Sequence, residues 1–217
     1  MQKLQAALFI LAALVLAASP AMAGALYDNG PINGQIDAWT INFGFTVTDS
    51  MEVHGTVQGL DFGAFLIPGD TVTGVEVSIS SSPFGNDLFD QFVSTTQSNC
   101  FANQYGYNIC TESATFNGPT LNGNYWLTLQ NATVPSGDPV YWDENSGVGC
   151  LSPGCPSQAQ ENTIGTIPSE AFTLIGSVST TTTSTTTTGT TPEPGSILLF
   201  GSGMLGLVAI LRHKIDR

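Results

Sequence analysis

The sequence predicts an all-β protein: a β-sandwich or jelly-roll-like ectodomain between an N-terminal signal peptide and a single C-terminal transmembrane helix. Three observations carry this. Apolar residues between Gly24 and Val178 recur with period two in short runs. Turn-forming clusters separate the runs: Asp28-Asn29-Gly30-Pro31, Pro68-Gly69-Asp70, Asn117-Gly118-Pro119, Asn122-Gly123 and Ser136-Gly137-Asp138-Pro139. No window in this region sustains an i, i+3, i+4, i+7 apolar stripe, so short strands must bury their faces on one another.

Taken in order, the first strand is expected where Ile41, Phe43, Phe45 and Val47 alternate with Asn42, Gly44, Thr46 and Thr48. Shorter strands are expected at Glu52–Val57 and Phe62–Ile67. Val75, Val77 and Ile79 alternate with Glu76 and Ser78; Tyr125, Leu127 and Leu129 alternate with Trp126, Thr128 and Gln130. Val140–Trp142 and Phe172–Ile175 complete the set. Asp87 to Ala114 reads as a long polar loop carrying Phe101, Tyr105 and Tyr107; loops of that length are functional or mobile. Residues 24–178 are long enough to bury roughly 70% of their unfolded surface in one core.

The two ends read as addresses. Residues 1–23 form a signal peptide: Lys3 is the charged region, Leu4 to Ala18 the apolar run, and Ala21-Met22-Ala23 a site for signal peptidase that leaves Gly24 as mature N-terminus. Residues 179–191 are Thr, Ser and one Gly, a stalk with nothing apolar to pack; it is either O-glycosylated or a bare spacer. Residues 192–217 begin with Pro192-Glu193-Pro194, continue as an apolar helix over 195–211 and end in a basic tail with Arg212, Lys214 and Arg217. Ile197 to Leu211 spans only ~22 Å as a helix against a bilayer core of ~30 Å. Gly201, Ser202, Gly203 and Gly206 weaken it further, and Ser202 and Gly206 form a small-xxx-small pair. The tail's cations hold its end in the cytoplasm, which places the preceding chain in the periplasm.

That tripartite order resembles the PEP-CTERM sorting signal of Gram-negative bacteria. The resemblance implies processing by exosortase, a membrane protease-transpeptidase, near Pro192-Glu193-Pro194. It also implies transient anchoring in the inner membrane, then the cell surface or an extracellular matrix of exopolysaccharide and biofilm. Asp216, an acid in the basic tail, departs from the pattern but leaves three fixed cations.

Charge excludes several classes. All four Lys and Arg lie in the terminal addresses, at Lys3, Arg212, Lys214 and Arg217. Of 17 acids, all but Glu193 and Asp216 fall between Gly24 and Thr191. With no basic footprint there, nucleic acid is excluded as a partner. Recognition of phosphate or carboxylate by Arg or Lys is excluded too. An acidic, solubilising surface remains, and so does chemistry with divalent cations. Four cysteines in an exported chain predict disulfides; local pairing, Cys100–Cys110 and Cys150–Cys155, is preferred among three connectivities. A zinc site lacks its Cys-x-x-Cys and its histidines.

Within the ectodomain, Asp138, Asp143, Glu144 and Asn145 place oxygen ligands close together before Gly147, as a calcium loop does; the competing reading is an Asx turn. No other cofactor is expected. Trp126 and Trp142, with Trp39, Tyr125 and Tyr141 nearby, are candidates for stacking on a sugar, although large aromatics on a sheet are more often core. If Leu127 and Leu129 face inward, Trp126 faces outward or lies under a covering layer. Catalysis finds little support: His54 is the ectodomain's one histidine, there is no Gly-x-Ser-x-Gly elbow and no lysine nucleophile, and nothing in the spacing selects a carboxylate pair. The sequence therefore predicts an exported, non-enzymatic surface or matrix protein, with a lectin-like module, dependent on calcium, as the alternative.

Overall fold

The computed structural model describes residues 23–35, 37–145, 152, 155 and 157–178. The expected signal peptide up to residue 22, Cys150, the expected Thr/Ser stalk, Pro192-Glu193-Pro194, the expected helix over 195–211 and Arg212, Lys214 and Arg217 lie outside the described residues.

The described chain is all-β. Eleven strands follow one another: β1 (Gly24–Asp28), β2 (Ala38–Thr40), β3 (Thr46–Leu66), β4 (Gly74–Ser80), β5 (Phe89–Ala102), β6 (Asn108–Thr115), β7 (Thr120–Thr133), β8 (Tyr141–Asp143), β9 (Ala159–Glu161), β10 (Gly165–Ile167) and β11 (Phe172–Val178). No helix occurs among the described residues.

β3 organises the sheet. Its first half pairs antiparallel with β7, from Thr46 opposite Gln130 to Thr56 opposite Thr120. Its second half pairs with β6, from Gly59 opposite Thr115 to Leu66 opposite Asn108. The crossing between the two partners falls at Val57, whose N–H donates to Pro119 O and whose carbonyl accepts from Gly118 N, both at 3.0 Å. β5 likewise serves two neighbours, β4 through its first residues and β6 through its last. β4 pairs with β7. The pairings β3–β6–β5–β4–β7–β3 thus close into a ring, a barrel-like arrangement within one continuous sheet. The separation into two facing sheets that a sandwich requires is not drawn by these pairings. β11 adds to β3 outside the ring and β1 adds to β11. β9 and β8 take the ends of β3 at Val47–Asp49 and Ala64–Phe65.

The alternation read from the sequence becomes core where it was clearest. Val75, Val77, Ile79, Leu127 and Leu129 are all fully buried. They pack with Leu60, Phe62, Leu66, Phe172 and Leu174 in one cluster. Burial of such side chains at ~25 cal/mol per Å² of apolar surface is the main stabilising term.

Three expectations need correction. No strand covers Ile41–Val47: Phe43 takes φ 57°, Phe45 N–H closes a turn on Asn42 O, and Phe43 and Phe45 are exposed. The Phe-Gly pair turns the chain, and β3 starts only at Thr46. Glu52–Val57 and Phe62–Ile67 are parts of that one strand, because Gly55, Gly59 and Gly63 allow close crossing by neighbours rather than breaking it. The loop over Asp87–Ala114 is largely a hairpin, β5 and β6, whose outer residues are so polar that the period-two signal survives only at Phe89 and Val93.

Candidate functional site

Two constellations of functional groups emerge, one buried and acidic, the other open and aromatic.

The buried one forms where β1, β3, the end of β8 and the segment before β11 meet. Asp49, on β3, accepts hydrogen bonds from Glu170 N (2.7 Å), Ser169 Oγ (3.2 Å), Asn29 Nδ2 (3.2 Å) and Ser157 Oγ. Asn29 also donates to Glu170 O and in turn accepts from the Tyr27 hydroxyl at 3.0 Å. Asp143 Oδ2 accepts from the backbone N–H groups of Asn33 (2.9 Å) and Gly34 (3.2 Å), while its Oδ1 has no hydrogen-bond partner among the described residues. Gly63 makes room for this segment: a Cβ there would lie 2.6 Å from that of Asp143. Glu144 and Glu170 face each other across an isolated antiparallel bridge. Glu170 is fully buried, and neither carboxyl oxygen has a hydrogen-bond partner among the described residues.

No lysine or arginine exists between Gly24 and Leu211 to neutralise these acids. Burial therefore dominates their protonation. It pushes Asp49 up to about 7 against four opposing hydrogen bonds, and Asp143 up to about 6. Glu170 is driven well above the ordinary carboxyl range, first by burial and then by the charges of Asp49, Glu144, Asp143 and Asp37. The site stores protons rather than charge.

The open constellation is a cleft of about 320 Å³ lined by Asp37, Ala38, Phe65, Tyr105, Tyr107 and Tyr141. Tyr107 stands edge-on to Tyr141, centroids 5.8 Å apart at 78°, and lies 5.9 Å from Phe65 at 48°. The turn between β5 and β6 is tied by Asn103, whose Oδ1 accepts from Tyr105 N (2.9 Å) and Tyr107 N (3.0 Å). Gly106 at φ 87° permits that turn. The Cys100–Cys110 disulfide joins the two strands just beneath. Burial raises the Tyr141 hydroxyl's pKa above its ordinary value, with the neighbouring Tyr107 adding to the rise.

The residues singled out from sequence fall unevenly on these sites. Asp143, Glu144 and Asn145 lie together at the end of β8. Asp138 belongs to a different surface, where its carbonyl accepts from Asn42 Nδ2. Among the described residues, no group of three or more His, Cys, Asp or Glu side chains is placed to hold a metal ion. Trp142 is not available for stacking: it is fully buried, its indole N–H donates to Ala171 O at 3.0 Å, and it packs edge-on to Phe62 and Phe172. Trp126 is half-buried on β7, so the outward face it occupies is partly covered. Cys100 pairs with Cys110 as expected. Cys155 is also disulfide-bonded, and its expected partner, Cys150, lies outside the described residues. His54 is an exposed strand residue; its Nδ1 lies 2.6 Å from Asn122 Oδ1 and its Nε2 3.3 Å from Glu52 Oε1. The Asn122 contact, then Glu52, raises its pKa.

Sequence reasoning missed Asp49, Glu170, Asp37 and Phe65. A signal existed for Glu170, an acid flanked by Ala171 and Phe172 at the start of an apolar run.

Neither constellation speaks to sorting; the C-terminus does. Residues 190–213 match the PEP-CTERM protein-sorting motif. The chain carries a PEP-CTERM sorting signal. That motif implies an exported protein of a Gram-negative bacterium, anchored in the membrane and then processed by exosortase. It covers the Pro-Glu-Pro triplet, the apolar stretch and the first residues of the basic tail. No curated protein matches the chain in sequence. Among the described residues no helix is long and apolar enough to cross a membrane.

Proposed function

We propose that this PEP-CTERM protein is a non-enzymatic component of the cell surface or of an exopolysaccharide matrix, its β ectodomain released into that setting once the C-terminal signal is removed. The observation that carries the reading is the sorting motif at 190–213, placed after a Thr-rich segment and behind an ectodomain free of lysine and arginine. An ectodomain with 15 acids, most of them outside the core, and no lysine or arginine stays soluble and repels other acidic chains.

A second reading, a carbohydrate-binding module, draws support from the tyrosine-walled cleft in place of Trp126 and Trp142. Aromatic walls with one carboxylate are the composition of many small-ligand sites. Cell fractionation tests the first reading. In cells with active exosortase the ectodomain is expected in the surface or matrix fraction, and in cells without it, in the inner membrane. Retention in the inner membrane in both would refute it.

A further inference from the structure

The tyrosine cleft has three properties beyond its aromatic lining. Its walls are inclined to one another, at 78° between Tyr107 and Tyr141 and 48° between Phe65 and Tyr107, so they form a corner rather than a flat platform. Asp37 sits in that lining, one of its oxygens accepting from Ala38 N–H at 2.9 Å. No lysine or arginine of the ectodomain exists to pair with it. Finally, the backbone that carries Tyr105 and Tyr107 is tied before any ligand arrives. Asn103 accepts from both backbone N–H groups and donates from Nδ2 to Gly34 O at 3.4 Å, and the Cys100–Cys110 disulfide links the two strands that flank the turn. A preformed aromatic corner with a carboxylate attracts a cation through both the ring faces and the charge. The same absence of basic residues turns away uronate, sulfate and phosphate groups. A volume of about 320 Å³ is at the low end for ligand sites and suits one small unit rather than a long segment.

We propose that this cleft binds a saccharide unit bearing a free ammonium group, of the glucosamine type, with the sugar against the tyrosine rings and the ammonium toward Asp37. The proposal rests on the carbohydrate-binding reading and sharpens it to an amino sugar that is not acetylated.

Calorimetric titration of the purified full chain in detergent at 0.15 M salt tests it, with the glucosamine trisaccharide, its N-acetylated counterpart, a galacturonate trisaccharide and tetramethylammonium as probes. The free-amine trisaccharide is expected to bind at least about tenfold more tightly than the N-acetylated form, with no binding of galacturonate. Tyr105→Ala keeps the net charge and removes a side chain that is 56% exposed, so the core is untouched; it should weaken binding about tenfold. Asp37→Asn should erase the preference for the free amine. Equal binding of both trisaccharides, unaffected by Asp37→Asn, would overturn the ammonium proposal and leave the carbohydrate reading standing. No saccharide binding at all would sink both. Binding that survives Tyr105→Ala would mark diffuse attraction to an acidic protein, and tetramethylammonium binding as tightly as the trisaccharide would mark a simple cation site; either outcome overturns the proposal.

Discussion

Glu170 holds a costly position, fully buried among other acids. A buried carboxyl with neither oxygen hydrogen-bonded lacks the compensation that normally accompanies burial of a polar group. Its neighbours Asp49, Glu144 and Asp143 add repulsion wherever they ionise. Glu170→Gln keeps the shape and removes the ionisable proton. It is expected to raise Tm at pH 8 and to change it little at pH 5.5, as read by thermal unfolding followed by circular dichroism. A fall in Tm at pH 8 would mean that a bound cation, calcium at Asp143–Asn145 included, requires the negative charge. At this scale the sequence was only partly legible. Asp143, Glu144 and Asn145 stood out because they are adjacent, at the end of β8. Asp49 and Glu170 did not, because Asp49 lies 121 positions from Glu170 along the chain and Glu170 is not adjacent in sequence to Asp143 or Glu144, and periodicity reports only local neighbours.

The β5–β6 hairpin shows what one covalent link can hold at the level of elements. Its first strand, β5, is polar and gives the core only Phe89 and Val93, while β6 buries Ile109, Cys110 and Ala114. The Cys100–Cys110 disulfide ties the polar end of β5 to the buried β6. Replacing both cysteines by serine should cost about 2–3 kcal/mol, a drop in Tm of roughly 5–10 °C, measurable by differential scanning calorimetry. An unchanged Tm would show that β4 and β6 pairing alone fixes the hairpin. The same element explains where strand reading failed. β4 and β7 were visible because Val75, Val77, Ile79, Leu127 and Leu129 all point one way into the core. β5 was read as loop because Gln91, Ser94, Thr96 and Ser98 supply an exposed face with too few apolar partners to set the period. β3 was read in pieces because its glycines resemble breaks in a linear chain but serve as crossing points in the sheet.

The molecule as a whole is governed by unbalanced negative charge and by its C-terminal address. Three acids on separate strands have folded-state values raised by burial: Asp49 from 3.8 to about 7, Glu112 from 4.5 to about 7, and Asp143 from 3.8 to about 6. The folded state then holds protons that the unfolded chain releases, so stability from these groups is full below about pH 4 and is lost as pH rises toward 7. Ionisation of the remaining surface acids adds repulsion in the same direction. Tm is expected to be higher at pH 5.5 than at pH 8 by about 5 °C or more, and the opposite order would contradict the buried, neutral state of these carboxyls. The all-β class and the sorting signal were both legible at this scale, since composition, turn spacing and a terminal motif need no tertiary information. Ring closure through β3 and β5 was not, because pairing order is a long-range property. The most direct test of the central claim is the intact mass of the mature chain from cells with and without active exosortase. The account predicts that exosortase yields a product lacking the segment beyond Pro192-Glu193-Pro194, while its absence leaves the chain complete through Arg217. A chain ending at Arg217 in both cells would contradict it.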